Sequence, residues 1–325
     1  MKAIALFSGG LDSTLAMKLI IDQGIEVIAC NINTGFGSTK DRRAHMQNMC
    51  DQVGAELRII DIQSEYLQDV LFDPKHGYGK NFNPCIDCHA KMFAVAKRIM
   101  EAEGASFLLS GEVMGQRPMS QNREALQKVL DESNCEGLLL RPMSAKHLAP
   151  TIAETQGWVD RDKLEAIQGR SRERQFELAK KYNLTDFESP GGGCLLTDEN
   201  FTKKMHDYLK YDTFEVKDIP VIKYGRQLRL PDGAKLVVGR DEHDNEKIEA
   251  VDNDKYVHIS TLDMPGPHSL LSRNASEADR ELAVRLVLTY SRTQPNQSYT
   301  IAIDGEKVTS QPFEDKKAPH AYFVV

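Results

Sequence analysis

Six residues near the N-terminus, Ser8-Gly9-Gly10-Leu11-Asp12-Ser13, carry the first chemical signal in the chain. They follow the apolar run Lys2 to Phe7 and precede a stretch with helical spacing through Leu15, Met17, Leu19 and Ile20. The segment is therefore a turn from strand to helix. The backbone N–H groups that begin a helix have no internal partners, and the helix dipole favours negative charge there. Gly9 and Gly10 let a pyrophosphate approach the backbone closely, and Ser8 and Ser13 add hydroxyl donors. Asp12 fits such a cradle if it holds Mg²⁺ or polarises a group nearby. The Gly-Lys-Ser/Thr ending of a Walker loop and the GxGxxG pattern are both absent. A plain β-to-α turn with an N-cap would leave the ligand-binding edge of the first strand unused.

A second chemical set is made of cysteines. Cys85-Ile86-Asp87-Cys88-His89 follows Asn81-Phe82-Asn83-Pro84 and is expected on a loop just before a helix over residues 90–103. A CxxC at a helix start is expected to have a lowered thiol pKa and suits metal or sulfur chemistry. Cys194 follows the turn Pro190-Gly191-Gly192-Gly193, the strongest punctuation in the chain. Three readings stay open for Cys85, Cys88 and Cys194. They are an Fe–S cluster with three thiolate ligands, a persulfide relay, or structural zinc with His89 as a fourth ligand. Cys30, Cys50 and Cys135 lie in apolar or helical contexts and read as core.

The elements that must position these groups alternate. Strands are expected at 2–7, 25–31, 56–62, 106–110 and 137–140, and helices at 13–23, 40–54, 90–103 and 121–133. That order predicts an α/β unit with a doubly wound parallel sheet. Residues 161–182 read as further helix. After a short helix over 200–209, strand-like pieces follow at 214–222, 234–239, 255–260, 299–303 and 321–325, with one helix over 277–291. The second part is thus a smaller α+β domain, with domains expected at 1–205 and 206–325. Of 325 residues, 41% are hydrophobic and 27% charged, an ordinary soluble composition. The net charge of −7 argues against a generic nucleic-acid-coating protein. No apolar run is long enough to span a bilayer. The N-terminal run breaks at Ser8-Gly9-Gly10 before completing a signal peptide, so a cytoplasmic location with reduced or metal-bound cysteines is expected.

SGGLDS resembles the SGGxDS signature of the PP-loop (adenine nucleotide alpha hydrolase-like) ATP pyrophosphatases, of Rossmann-like fold. The resemblance implies that Ser8, Gly9, Gly10, Asp12 and Ser13 hold the phosphates of ATP with Mg²⁺. It places Asn31 to Asn33 by the adenine, Asn33 as a nucleotide contact, and Gly111 of Ser110-Gly111-Glu112 beside the nucleotide. The cysteine set resembles that of tRNA thiouridylases: an Asn-Pro before the first cysteine as in the MnmA group, and CxxC plus a third cysteine as in the TtuA group. The outer zinc cysteines of the TtuA group and a THUMP-like domain are absent. The resemblance implies catalysis by Asp12, Cys85, Cys88 and Cys194. It favours a [4Fe-4S] cluster on the three cysteines, with the persulfide second. Such an enzyme adenylates a uridine oxygen of tRNA and replaces it by sulfur taken from a cysteine desulfurase or sulfide.

Arg117, Arg123 and the basic stretch Arg170, Arg172 and Arg174 are candidate RNA contacts; as a helix face such a stretch is most often only solvated. From about Lys235 the chain resembles the NFACT-R RNA-binding domain. The matching residues are Leu236 to Asp241, Asn245, Tyr256-Val257-His258, Gly266-Pro267-His268 and Tyr290-Ser291. That resemblance implies RNA contacts from Arg240, His258 and His268. Acids outnumber bases from Met205 onward, so composition lends no support, and a dimerisation module is the rival. Homodimerisation stays open. Rival readings of the whole chain are a PP-loop ligase, synthetase or sulfur-removing enzyme acting on a small molecule, and a non-enzymatic RNA-binding or sulfur-carrier protein.

Overall fold

A computed structural model of the chain describes residues 1–188 and 193–324. Pro190, Gly191 and Gly192 of the glycine turn lie outside the described residues. The chain divides into two units, Met1–Thr197 and Asp198–Val325. The expected boundary at 205/206 falls inside a helix, Glu199–Tyr211, which Asp198 caps by accepting from the Phe201 N–H at 2.7 Å.

The first unit runs β1 (Lys2–Leu6), α1 (Leu11–Ile21), β2 (Glu26–Asn33), α2 (Arg43–Val53), β3 (Glu56–Asp61), α3 (Gln63–Tyr66), α4 (Cys85–Ala102), β4 (Phe107–Ser110), α5 (Arg123–Ser133), β5 (Leu139–Leu140), α6 (Ile152–Thr155) and α7 (Glu173–Lys181). Its sheet has the order β3-β2-β1-β4-β5, with all pairs parallel. This is the doubly wound α/β architecture read from the sequence. The chain leaves β3 and returns on the far side of β1. The switch point, where ligands bind in such sheets, is thus between β1 and β4. β4 is buried at every position, and α1 is buried on nearly all sides. Helix α1 therefore lacks the one-sided stripe of a surface helix. The core joins β1, α1, β2, α2 and α7 through Ala5, Leu15, Val27, Met49 and Leu178.

Two expectations in this unit are corrected. The CxxC is not on a loop: it forms the first turn of α4, which begins immediately after Pro84. Proline at a helix start removes an N–H that would have no acceptor there. Residues 161–182 do not form one helix. A short 3₁₀ turn at Arg161–Lys163 is followed by extended chain that bridges Gln168 to Met114. Gly169, at φ +81°, bars a continuous helix, and α7 starts only at Glu173.

The second unit runs α8 (Glu199–Tyr211), α9 (Ile219–Lys223), β6 (Arg226–Arg229), β7 (Lys235–Val238), α10 (Glu242–Glu249), β8 (Tyr256–Thr261), β9 (Ser269–Ser272), α11 (Glu277–Tyr290), β10 (Tyr299–Ile303) and β11 (Glu306–Ser310). Its strands form one antiparallel sheet, β11-β10-β8-β9-β7-β6, the α+β domain expected. Residues 214–222 are not a strand but a 3₁₀ turn and α9, held by a Glu215/Asp218 capping box and Pro220 in the first helical turn. Residues 318–322 are a 3₁₀ turn containing Pro319, and the expected C-terminal strand reduces to one bridge, Leu228 to Phe323.

Two contacts brace the end of β4. Gly111 lies so close to α1 that a Cβ there would come within 2.4 Å of the Ser13 nitrogen. The next residue, Glu112, is buried. Its carboxylate accepts from Arg141 Nε at 2.8 Å and Ser110 Oγ at 3.2 Å, and lies 3.0 Å from His89 Nδ1 on α4. Burial alone would raise the Glu112 pKa. The Arg141 charge and the His89 hydrogen bond outweigh it and hold the carboxyl at about 2.

Gly111→Ala is expected to lose about 1–3 kcal/mol of stability from overpacking, read as a lower melting temperature. The folded Glu112 pKa lies below the ordinary value of 4.5. Its stabilising effect is therefore complete above that value and fades as pH falls toward 2. Glu112→Gln is expected to cost about 3–5 kcal/mol at neutral pH, because Arg141 is left without its counter-charge. It should also flatten the acid limb of the stability curve between those two values, and an unchanged acid limb refutes the assignment.

Candidate nucleotide and sulfur site

The glycine loop spans the gap from β1 to α1 at the switch point. Gly9 takes φ +79°, and a Cβ there would press on Met46 of α2 at 2.9 Å. Gly10 is the N-cap of α1 and supplies no side-chain cap. The first N–H groups of α1 thus keep their affinity for an external acceptor. The serines face each other, Ser8 Oγ to Ser13 Oγ at 3.3 Å, and Ser13 also donates to the Gly10 carbonyl at 2.9 Å.

Asp12 is held from both sides. Gln116 Nε2 donates to Oδ2 at 2.9 Å and Arg172 donates to Oδ1 at 3.2 Å. Gln175 on α7 donates in turn to Gln116 Oε1 at 3.3 Å. Arg42 reaches the loop from just before α2, with its guanidinium 3.5 Å from the Ser8 carbonyl and 2.6 Å from Glu188. His45 Nε2 lies 3.0 Å from the Gly9 carbonyl. Four side-chain atoms in this unit are buried without a hydrogen-bond partner among the described residues. They are Arg42 Nε, Arg172 Nε, Gln121 Oε1 and Gln175 Oε1. Arg42, Arg172 and Gln175 belong to the network around the loop. Gln121 closes the turn that carries Gln116, its carbonyl accepting from the Gly115 N–H at 2.7 Å. Buried polar atoms are normally paired, so a cluster of orphans around an uncapped helix start marks a place built for a polar ligand.

Asn33 caps its own turn, accepting from the Gly35 N–H at 3.0 Å and donating to Asp61 at 3.3 Å. Asn31 donates to the Phe7 carbonyl at 2.8 Å. Gly111 has a packing reason to be glycine, its approach to Ser13, beside any contact with a nucleotide.

The cysteines gather around Tyr66. Cys88 shares a hydrogen bond with the buried Tyr66 hydroxyl, and the charges of Cys85, Cys88 and Cys194 all bear on that ring. Asn83 Nδ2 donates to Cys85 Sγ at 3.3 Å. Cys194 reaches the group on a segment moored at two points. Leu195 N–H donates to the Phe36 carbonyl at 2.9 Å, and Asn81 Nδ2 donates to the Thr197 carbonyl at 2.6 Å. The expected lowering of the CxxC thiol pKa is corrected for Cys88. Burial, reinforced by Cys194, Cys85 and Asp87, outweighs the Tyr66 hydrogen bond and pushes it up to about 12. Burial also raises Cys194, although that residue is exposed at its backbone turn. Among the described residues no three His, Cys, Asp or Glu side chains converge in metal-binding geometry. His89 is turned to Glu112 through Nδ1. Cys30, Cys50 and Cys135 are buried.

The basic residues divide. Arg117 and Arg170 are exposed. Arg172 faces Asp12 rather than solvent, and Arg174 is spent on Glu165 (2.8 Å) and Glu177 (3.0 Å). Arg123 begins α5 and reaches the His147 carbonyl at 3.4 Å. In the second unit Arg240 forks onto Asp244 at 2.5 and 3.1 Å. His258 lies 2.9 Å from the Val251 carbonyl, and His268 lies 3.7 Å from Glu249. Sequence reasoning missed Arg42, Gln116 and Gln175 at the loop. Only their nearness in space links them to it.

Comparison with known proteins bears on both units. Residues 225–323 match the NFACT protein RNA binding domain. The tRNA-specific 2-thiouridylase MnmA of Francisella tularensis is 25% identical over 236 residues, 69% of this chain and 62% of that protein. Its counterpart in Pseudomonas fluorescens is 25% identical over 66% of this chain and 58% of its own length. The chain thus spans about three fifths of the curated relatives it matches. A solved 4-thiouridine synthetase–RNA complex with bound ATP aligns over 56% of this chain and 51% of that one, with 19% identity and a TM-score of 0.35. No helix among the described residues is long and apolar enough to cross a membrane. Residues 1–186, more than half of the chain, match the tRNA methyl transferase HUP domain, and the chain belongs to that PP-loop family.

Proposed function

We propose that the chain is an ATP-dependent tRNA sulfurtransferase. The observation that carries the reading is the set of orphaned polar atoms around the uncapped start of α1. A triphosphate supplies acceptors for the two guanidinium groups, and the sugar or base supplies donors for the two glutamine oxygens. The loop Ser8 to Ser13 holds the phosphates through backbone N–H groups and the two hydroxyls. It lacks the lysine of a Walker loop, so Arg42 and Arg172 provide the positive charge. Asp12 would hold Mg²⁺, which would offset the charge of the phosphates. Family membership and the likeness to enzymes named as tRNA-specific 2-thiouridylases support tRNA as the acceptor, as does the RNA-binding match over residues 225–323.

In the first step the uridine carbonyl oxygen attacks the α-phosphorus and pyrophosphate leaves. The adenylated oxygen is then a good leaving group. No step of this reading passes through a cluster. A cysteine desulfurase loads sulfur as a persulfide on Cys194, the most exposed residue of the three. The terminal sulfur attacks the ring carbon, and the C–O bond breaks with AMP taking the electron pair. A second thiolate, from Cys85 or Cys88, attacks the Cys194 sulfur. It forms a disulfide and frees the thiocarbonyl, and an external thiol restores both cysteines. Exposed Arg117 and Arg170 are placed for tRNA phosphates, and Arg240 is the corresponding candidate in the second unit. The two domains of this proposal are an ATP and sulfur-transfer domain and an RNA-binding domain.

Pyrophosphate release from ATP is expected to require tRNA. Release with a small molecule alone points to the ligase or synthetase reading instead. Asp12→Ala should cut release by about 10²–10³-fold, and Arg172→Met should raise the KM for ATP. Cys194→Ala, or Cys85→Ala and Cys88→Ala together, should abolish thionucleoside, measured by mass spectrometry of digested tRNA, while leaving pyrophosphate release in place. Sulfur transfer that depends on bound iron would overturn the persulfide route.

A further inference from the structure

The second unit contains a polar cavity of about 190 Å³ that the chemistry above does not use. Its wall includes Lys235 and Tyr208, each about 1% exposed, with Arg229 and Tyr211 beside them. The Lys235 ammonium makes one hydrogen bond, to Asp207 Oδ2 at 3.2 Å. That same carboxylate is already forked by Arg229 at 3.1 and 2.7 Å. A lysine has three donors, so two of them lack a hydrogen-bond partner among the described residues. The Tyr208 hydroxyl is buried beside Tyr256 and Asp218. Keeping the ammonium buried with donors unpaired is unfavourable unless a ligand completes it. Consistent with this under-compensation, burial depresses the Lys235 pKa to about 8.

The lining also limits the ligand. The lining cations Arg229 and Lys235 stand with the lining carboxylates Asp212 and Asp232, and both cations also pair with Asp207 behind the wall. A free anion therefore finds no net positive charge. The space is below the ~300–1,000 Å³ of sites for drug-sized ligands, so only a fragment fits. The wall offers buried donors that need an acceptor, and tyrosines for a planar ring. Arg229 already stacks on Tyr211 at 4.0 Å. We propose that this cavity receives one unpaired keto nucleobase, its carbonyl oxygen accepting from Lys235 and its ring packed by the tyrosines. Single-stranded RNA is recognised by such stacking and edge contacts. Tyr208 and Tyr211 lie on α8, outside the stretch 225–323 that matches the RNA-binding domain, so half of the pocket is not given by that match.

The site is independent of the glycine loop, and its test uses the full-length Asp12→Ala protein so that failure of ATP chemistry does not enter. Binding of short single-stranded oligouridylate and oligoadenylate is compared by fluorescence anisotropy. Oligouridylate should bind more tightly. Lys235→Met, which leaves Asp207 paired with Arg229, should erase the preference. Tyr211→Ala, at a position 57% exposed and safe for folding, should weaken binding about fivefold or more with an unchanged melting temperature. Equal affinity for the two oligomers, or affinities unmoved in both variants, overturns the proposal. Free uridine showing the same dependence on Lys235 and Tyr211 identifies a soluble nucleoside as the source of the base. Binding by the oligomer alone identifies RNA.

Discussion

The first unit depends on the contact between Gly111 and the opening turn of α1. No side chain separates the end of β4 from the Ser13 backbone. The two strands that flank the switch point therefore end against a single helix start. One residue further, Glu112 ties β4 to α4 through His89 and to the body of the unit through Arg141. The helix that follows the glycine loop and the helix that opens with CxxC are thus braced from the same three residues, Ser110 to Glu112. A shift at one would be felt at the other through rigid packing.

Electrostatics divide the two halves of this site. Around the glycine loop, positive charge comes from residues distant in sequence, Arg42 and Arg172, while the loop itself offers only dipoles and hydroxyls. Asp12 is paired with Arg172 and hydrogen-bonded by Gln116. Around Tyr66 the arrangement is apolar. Burial raises the thiols of Cys88 and Cys194. Thiols kept protonated in this way are less reactive than thiolates.

Much of the first unit was legible in the sequence because its signals are local. An apolar run ending in Ser-Gly-Gly is a strand feeding a phosphate-type turn, and the alternation that follows fixes a parallel sheet. The start of α4 was misread because Pro84 and the cysteines look like loop chemistry, whereas proline is well suited to the first turn of a helix. The helix over 161–182 failed at Gly169, whose left-handed backbone and the Gln168–Met114 bridge are tertiary facts. The second unit was harder. Strands β6 (RQLR), β9 (SLLS) and β11 (EKVTS) are short and half polar, and β11 lies at the edge of the sheet facing solvent. Residues 214–222 carry β-type residues but are held as a turn and helix by capping and by Pro220. The loop partners Arg42, Gln116 and Gln175 had no signal in sequence, because what gathers them is packing.

The mooring of Cys194 sets an order of maturation. Asp12 meets Arg172 across 160 positions of chain, and Asn81 holds Thr197 across 116. A ribosome delivers the N-terminal strands and the glycine loop first. The arginine that completes the loop emerges later, and the third thiol later still. A nascent chain can therefore form the glycine loop before all three cysteines are present. On the proposed function, the capacity to activate an acceptor would precede the capacity to deliver sulfur to it.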